Sequence, residues 1–182
     1  VRGGTVSELA QARFGPLPSP QGEERFGIVH RLAVEEALNE RYGKPESIEE
    51  FSRLAQVANY EGMRAMFESF SIRRPVTTGI IQWMLNSAWP EMYWQLYDYY
   101  LVPNGAFYGA RDASRPINIA YDYADRGIIV VNDTEEPLTG VRAQVRVYDL
   151  ESNLVAEDRE ALDVDASAIE RLEMSVPEPK GV

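Results

Sequence analysis

Two tryptophans and an asparagine near the middle of the chain carry side chains that could bind a sugar. The three tryptophans of the sequence run from Trp83 through Trp89 to Trp94, and Asn86 lies between the first two. An indole offers a flat aromatic face on which a pyranose ring can pack, and an asparagine amide both donates and accepts hydrogen bonds. By themselves, the residues favour the alternative, in which Trp83 packs in a core and Asn86 lies in a turn.

Two of these tryptophans belong to a larger aromatic cluster, which comprises Trp89, Tyr93, Trp94, Tyr97, Tyr99 and Tyr100. One or two of these rings could stack on a sugar, whereas we expect most of them to pack the loop onto the rest of the protein. Asp98 is expected to accept hydrogen bonds from backbone amides and so to order the loop, rather than to bind a metal.

Composition and charge exclude several other kinds of chemistry. The absence of cysteine excludes disulfides, zinc–thiolate sites and thiol catalysis. His30 has no partner ligand at a metal-binding spacing, so we expect neither a metal nor a cofactor. A formal net charge of −11 argues against nucleic-acid binding. Asn132-Asp133-Thr134 matches the glycosylation sequon, a match that is common by chance.

The N-terminus and the apolar runs of the sequence bear on membrane association, on secretion and on where the chain begins. No apolar run reaches 18 residues, so we expect no membrane-spanning helix and no membrane partner. The N-terminal residues lack the pattern of a signal peptide. Because Val1 is not an initiator methionine, we expect the chain to begin inside a longer parent protein.

An apolar run must position Trp83 and Asn86. Residues 80–85 are almost continuously apolar, a pattern typical of a strand buried on both faces in a parallel sheet. Such a strand would bring Trp83 and Asn86 to its C-terminal end, and Pro90 could not continue it. Apolar residues at helical spacing predict helices over residues 23–42 and 48–71 before this strand, which indicates an α/β arrangement.

Two carboxylate-bearing signals accompany these helices. Ser47 and Glu50 form a candidate capping box at the start of the second helix. The acidic residues within the helices, Glu40 in an Asn-Glu pair and Glu61 with Glu68 on one helix face, are expected to be solvated surface.

The second half of the chain has a different apolar spacing. After a predicted short helix over residues 105–113, apolar residues alternate with polar ones from residue 117 onward. The pattern predicts strands near residues 117–123, 128–131, 141–147, 154–162 and 172–176, with a hairpin turn at Asp125-Arg126-Gly127. Short consecutive strands are typical of an antiparallel sandwich of immunoglobulin type, although about seven strands are usual.

An ordered series of motifs resembles glycoside hydrolase family 2, in its exo-β-glucosaminidase and β-mannosidase branches. The series comprises Trp83-Met84-Leu85-Asn86-x-x-Trp89, Trp94-Gln95-Leu96-Tyr97-Asp98, Gly105-Ala106-Phe107-Tyr108-Gly109-Ala110, Arg115-Pro116-Ile117 and residues 125–132. The resemblance implies an α/β plus all-β fold. Residues 1–113 would be the C-terminal segment of a (β/α)8 barrel, and residues 114–182 a partial immunoglobulin-like antiparallel β-sandwich.

The same resemblance implies a function for the parent protein. It would cleave terminal β-glycosidic bonds with retention, β-glucosaminides as the first choice of substrate and β-mannosides as the second. Retaining glycosidases need two carboxyl groups about 5 Å apart, and the resemblance places both upstream of Val1. This chain would then supply no catalytic residue, would be inactive alone, and would contribute Trp83, Asn86 and Trp89 to substrate binding.

The resemblance also implies the partners and the compartment. A carbohydrate chain end would be the ligand, the missing N-terminal domains would contact this chain, and a secreted or periplasmic location is favoured. Two alternatives remain open from the residues. One is a non-catalytic β-sandwich module that binds carbohydrate through the aromatic cluster, and the other is a purely structural interdomain module.

Overall fold

The computed structural model describes residues 34–86, 88–89, 95–149 and 151–177. The predicted helical residues 23–33, together with His30, Tyr93 and Trp94, lie outside the described residues. The helices are α1 (residues 34–42), α2 (Ile48–Ser71) and α3 (Gly105–Ala113). The strands are β1 (Ile117–Asp122), β2 (Gly127–Asn132), β3 (Leu138–Tyr148), β4 (Leu154–Val164) and β5 (Ala168–Ser175).

The chain forms two compact units. The first comprises Val1–Met63 and Gln82–Gly109, and the second comprises Arg64–Ile81 and Ala110–Val182, so the division falls within α2 and α3. The predicted change from helices to antiparallel strands is confirmed between the end of α3 and the start of β1. The predicted division into domains at residues 113 and 114 stays a prediction.

The helix predicted over residues 48–71 is confirmed as α2, and its first turn shows how it begins. The Glu50 amide donates a hydrogen bond to Ser47 Oγ at 3.1 Å, as a capping box requires. The Glu50 carboxylate, however, accepts from the Glu46 amide at 2.8 Å, one residue before the position that a capping box uses. The predicted box is therefore only half formed, and Glu50 fixes the residue before the cap instead.

The strand predicted over residues 80–85 is wrong. None of these residues lies in a strand, and the Leu85 side chain is 59% exposed. A strand of a parallel sheet is buried by neighbouring strands and by the helices that cover them. In the part of the chain that the structure describes, Leu96 and Tyr97 donate to the Leu85 carbonyl oxygen and Tyr97 forms an isolated bridge with Asn86, but no strand pairs along the run, and most of its apolar side chains are exposed.

The second unit contains two antiparallel sheets. One has the order β1-β2-β5 and the other pairs β3 with β4, which confirms the predicted antiparallel strands. Residues from both sheets share one core, formed by Ile128, Val130, Ala143, Val164, Leu172 and Met174. Along β3 the apolar side chains alternate with exposed polar ones, as predicted from their spacing.

Strand β2 is the central strand of the three-stranded sheet and is buried along its whole length. One face contributes to the shared core. On the other face, Ile129 and Val131 pack with Ala120 of β1 and with Ile72, which directly follows α2. The apolar run in β2 is therefore continuous because both of its faces are covered.

Two polar groups fix the ends of β2. The predicted turn joins β1 to β2 antiparallel, and Asp125 accepts a hydrogen bond from the Gly127 amide at 2.9 Å. This backbone bond, with the nearby Arg171 guanidinium, lowers the pKa of Asp125. At the other end, Asn132 is fully buried, and its Nδ2 donates to the carbonyl oxygens of Glu136 and Asp165. The sequon asparagine therefore holds two loops together.

Candidate functional site

The two predicted sugar-stacking tryptophans in the described residues are exposed. Trp83 is 76% exposed and Trp89 is 53% exposed, so the alternative in which Trp83 packs in a core is wrong for this structure. Trp83 follows an irregular segment, and the peptide bond from Trp83 to Met84 is cis. An exposed indole keeps its aromatic face accessible to a ligand.

Asn86 is half-buried, and the backbone around it is paired with residues 96 and 97, which lie within the span of the aromatic cluster. Asn86 forms an isolated parallel bridge with Tyr97. The carbonyl oxygen of Leu85 accepts hydrogen bonds from the amides of Leu96 and Tyr97, at 3.1 and 3.0 Å. The pairing fixes the backbone immediately after Trp83 against residues 95–97.

Asn104 connects this paired segment to helix α3. Its Nδ2 donates to the Gln95 carbonyl oxygen at 2.6 Å, and its own amide donates to the Leu96 carbonyl oxygen at 3.1 Å. Its Oδ1 accepts from the Ala106 and Phe107 amides, at 2.9 and 3.3 Å, so Asn104 is the N-cap of α3. The Asn104 side chain thus caps the N-terminus of α3 and also donates a hydrogen bond to the backbone of Gln95.

Helix α3 is in turn held against α2. The Gly105 amide donates to Gln56 Oε1 at 2.6 Å. A Cβ added at Gly105 would collide with the backbone carbonyl of Gln56, so only glycine permits this approach. Tyr97 and Phe107 also pack ring against ring, with centroids 5.1 Å apart.

The loop between residues 98 and 102 is ordered as predicted. Asp98 Oδ1 accepts a hydrogen bond from the Val102 amide at 2.8 Å, and the Asp98 amide donates to the Val102 carbonyl oxygen at 3.0 Å. The expected role of Asp98 is therefore confirmed. Tyr99 and Tyr100 in this loop are exposed and contact each other edge to face at 5.1 Å, so these two rings pack on each other rather than into a core.

The three helix carboxylates that were expected to lie on the solvated surface have different surroundings. Glu40 is exposed, as expected. Glu61 accepts a hydrogen bond from the Tyr42 hydroxyl at 2.7 Å and pairs with Arg41, and burial together with this hydrogen bond raises the pKa of Tyr42. Glu68 is buried and pairs with Arg64 at 2.7 Å, so its predicted place on the solvated surface is wrong.

Among the described residues, no group of three or more histidine, aspartate or glutamate side chains could hold a metal ion. No helix among these residues is long and apolar enough to cross a membrane.

Sequence reasoning missed Asn104 and Gln95 as parts of the site. An asparagine directly before a predicted helix is a recognised N-cap signal, so Asn104 could have been identified as the start of α3. Its bond to Gln95 has no local signal, because it joins residues on either side of a loop.

Relatives with similar sequences are known, although no family model matches the chain. An exo-β-D-glucosaminidase from Amycolatopsis orientalis is 36% identical over 152 residues, 81% of this chain and 15% of that protein. The exo-β-D-glucosaminidase of Streptomyces avermitilis is 40% identical over 117 residues, 62% of this chain and 13% of that protein. A mannosylglycoprotein endo-β-mannosidase from Lilium longiflorum is 34% identical over 111 residues, which are 60% of this chain and 12% of that protein. The chain therefore spans less than a sixth of the length of these relatives.

Solved structures of enzymes with similar names also align with this chain. A variant of the exo-chitosanase CsxA from Amycolatopsis orientalis, in complex with PNP-β-D-glucosamine, aligns with a TM-score of 0.72 at 37% identity, over 81% of this chain and 18% of that one. A β-D-mannosidase from Dictyoglomus thermophilum aligns with a TM-score of 0.67 at 19% identity, over the same shares, which shows a common fold alone. Homologues named exo-β-D-glucosaminidase and β-mannosidase, members of glycoside hydrolase family 2, thus cover most of this chain, and the resemblance predicted from its residues is confirmed.

Proposed function

We propose that the full-length parent of this chain is a retaining glycoside hydrolase that cleaves terminal β-glycosidic bonds. The observation that carries the proposal is the 36% identity to an exo-β-D-glucosaminidase over most of this chain. A β-glucosaminide is the first choice of substrate and a β-mannoside the second. Residues 1–113 would complete the C-terminal part of a (β/α)8 barrel, and residues 114–182 would belong to an immunoglobulin-like sandwich.

Within this proposal, the chain supplies binding groups and no catalytic carboxylate. Trp83 offers its exposed ring as a wall for the sugar that is released, and Asn86 and Trp89 lie close to it in sequence. The two carboxylates would come from the parent upstream of Val1 and would act as acid/base and nucleophile.

The substrate and stereochemistry are tested on the parent with nitrophenyl β-glucosaminide and nitrophenyl β-mannoside. We expect faster turnover of the glucosaminide, and we expect NMR to detect the β-anomer of the sugar first. Turnover of the mannoside alone would reverse the order of the two substrates. First release of the α-anomer would overturn the retaining mechanism.

The role of Trp83 is tested by replacing it in the parent. Misplacing a reacting group by about 1 Å can cost on the order of 100-fold in rate, so Trp83→Ala should lower kcat/KM by at least about that factor. A thermal melt of the same variant separates this loss from unfolding. A folded variant with the parental kcat/KM would show that Trp83 has no role in substrate binding.

The 182-residue chain should have no glycosidase activity, because both proposed carboxylates lie outside it. Turnover of either nitrophenyl glycoside that survives repurification would contradict this. The exposed tryptophans favour one alternative, a module that binds carbohydrate without cleaving it. Titration of the isolated chain with glucosamine oligomers, followed by tryptophan fluorescence, distinguishes the two, since saturable binding by the chain alone favours the module.

A further inference from the structure

The hydrogen bonds of Asn104 reach the backbone that carries the proposed sugar-binding residues. Asn104 bonds to Gln95 and Leu96 through its Nδ2 and its amide. Leu96 and the next residue donate to the Leu85 carbonyl oxygen, two residues after Trp83. A continuous series of hydrogen bonds therefore runs from the start of α3 to the Trp83–Asn86 segment, within the first compact unit.

This series connects the Trp83–Asn86 segment to the start of α3 through backbone and side-chain hydrogen bonds. The segment is irregular, and its apolar side chains are exposed, so packing contributes little to its position. Gln95, by contrast, is almost fully buried, so the carbonyl bonded by Asn104 belongs to a well-packed part of the unit. A segment with few buried apolar contacts opens at a low free-energy cost, so the loss of a hydrogen bond that holds it should increase its mobility.

We propose that Asn104 is a positioning residue for Trp83, acting through residues 95–97 and the Leu85 carbonyl oxygen. The inference rests on the proposed role of Trp83 in substrate binding. Asn104 touches neither the sugar nor the carboxylates in this scheme. It holds the backbone after Trp83 in one place, so that the indole presents its face in a fixed orientation.

The two functions of Asn104 can be separated by substitution. Aspartate and serine are both good N-caps, so Asn104→Asp and Asn104→Ser keep the acceptor for the Ala106 and Phe107 amides. Neither retains the Nδ2 donor to the Gln95 carbonyl oxygen. The serine variant also controls for the charge that aspartate introduces. Both variants should therefore keep α3 intact and loosen only its connection to residues 95–97.

A matched control exists in the second unit. Asn153 lies in the turn between β3 and β4, and its Nδ2 donates to Asp149 Oδ2 at 3.0 Å. Asn153→Asp removes a comparable amide donor from an asparagine that lies outside the first unit.

In the full-length parent, we expect Asn104→Asp and Asn104→Ser to lower kcat about tenfold, with little change in KM or melting temperature, because the ring is misplaced rather than unbound. Asn153→Asp should retain the parental kcat. In a Trp83→Ala background, the Asn104 substitutions should cause no further loss, since the two residues act on the same step. Parental kcat in both Asn104 variants, or an equal loss in the Trp83→Ala background, would overturn the inference.

A second readout does not depend on turnover. The ¹⁹F resonance of 5-fluorotryptophan at position 83, assigned with Trp83→Phe, should shift or change width in Asn104→Asp and stay fixed in Asn153→Asp. If the resonance in Asn104→Asp is as unchanged as in the Asn153→Asp control, the positioning role is overturned, even if Trp83→Ala is inactive. A changed resonance in a parent whose Trp83→Ala variant remains fully active would instead reject the proposed role of Trp83 in substrate binding and leave the positioning role of Asn104 standing.

Discussion

The sheets of the second unit and the segment around Trp83 are both rich in apolar residues, yet only the sheets bury them. Strand β2 is buried along its length because sheet neighbours, a facing sheet and Ile72 surround it. Residues 81–85 are similarly apolar, but Ile81, Trp83, Met84 and Leu85 are all exposed. The difference shows that an apolar run becomes part of a core only where its partners are supplied by the same compact unit.

The largest expected effect contrasts one substitution in the two regions. Leu172 of β5 is 4% exposed in the shared core, so Leu172→Ala should destabilise the chain by about 2–5 kcal/mol. Leu85→Ala should change the free energy of unfolding by less than about 0.5 kcal/mol, since Leu85 is already exposed. Urea unfolding followed by far-UV circular dichroism measures both.

The same two substitutions give a sharper comparison when they are made in the full-length parent. If residues 80–85 gain neighbouring barrel strands there, as proposed, Leu85→Ala should become as costly as Leu172→Ala, about 2–5 kcal/mol. A small effect of Leu85→Ala in the parent would mean that this segment remains uncovered and would count against the proposed barrel.

A buried polar group gives the next largest effect. Asn132 is fully buried and donates to two loop carbonyls, so Asn132→Ala removes a buried donor from both and should cost about 2 kcal/mol. Asn118 is half-buried in β1, and its Nδ2 donates a long hydrogen bond of 3.4 Å to the Ala113 carbonyl oxygen, so Asn118→Ala should cost less than about 1 kcal/mol. Equal losses in urea unfolding would show that the bonds of Asn132 contribute little.

Two glycines of the first unit should have opposite effects on stability when each is replaced by alanine. Gly105→Ala places a methyl group against the Gln56 backbone and should destabilise the chain by about 1–3 kcal/mol. Gly62, inside α2, has open space around it, and Gly62→Ala should stabilise the chain by up to about 1 kcal/mol through helix propensity. Stabilisation by Gly105→Ala would contradict the close approach of α3 to α2.

These contrasts explain which features could be predicted from the sequence. The bounds of α2 and α3 and the existence of the five strands could be predicted from local patterns, whereas β3 and β5 begin earlier in the structure than predicted, at Leu138 and Ala168. The exposure of Trp83 could not be predicted, because a run such as residues 80–85 does not reveal whether its partners are present. The burial of Glu68 and the bonds of Asn132 were also missed, because both depend on residues distant in sequence or on tertiary packing.

The smallest expected effect concerns an exposed carboxylate on the two-stranded sheet. Glu157 accepts hydrogen bonds from Arg159 at 2.8 Å, from Gln144 and from Arg146, and these donors lower its pKa from 4.5 to about 2. Because the folded pKa lies below the unfolded one, the stabilisation is fully present above pH 4.5 and is lost as the pH falls towards 2. Solvent screening keeps this contribution small, so it is best measured as a titration rather than as a change in stability.

An NMR titration of the Glu157 carboxyl carbon in the isolated chain tests this directly. The midpoint should lie near pH 2, and Arg159→Gln should raise it towards 4.5, since Arg159 is the strongest of the three donors. Arg142 shares the exposed face of β3 with Arg146 but is paired in register with Ala161, so Arg142→Gln should leave the midpoint unchanged. A midpoint near 4.5 in the unmodified chain would show that the donors do not hold Glu157 in solution. An equal shift from both arginine substitutions would attribute the low pKa to the general positive charge of the sheet, and not to the specific hydrogen bonds that Glu157 accepts.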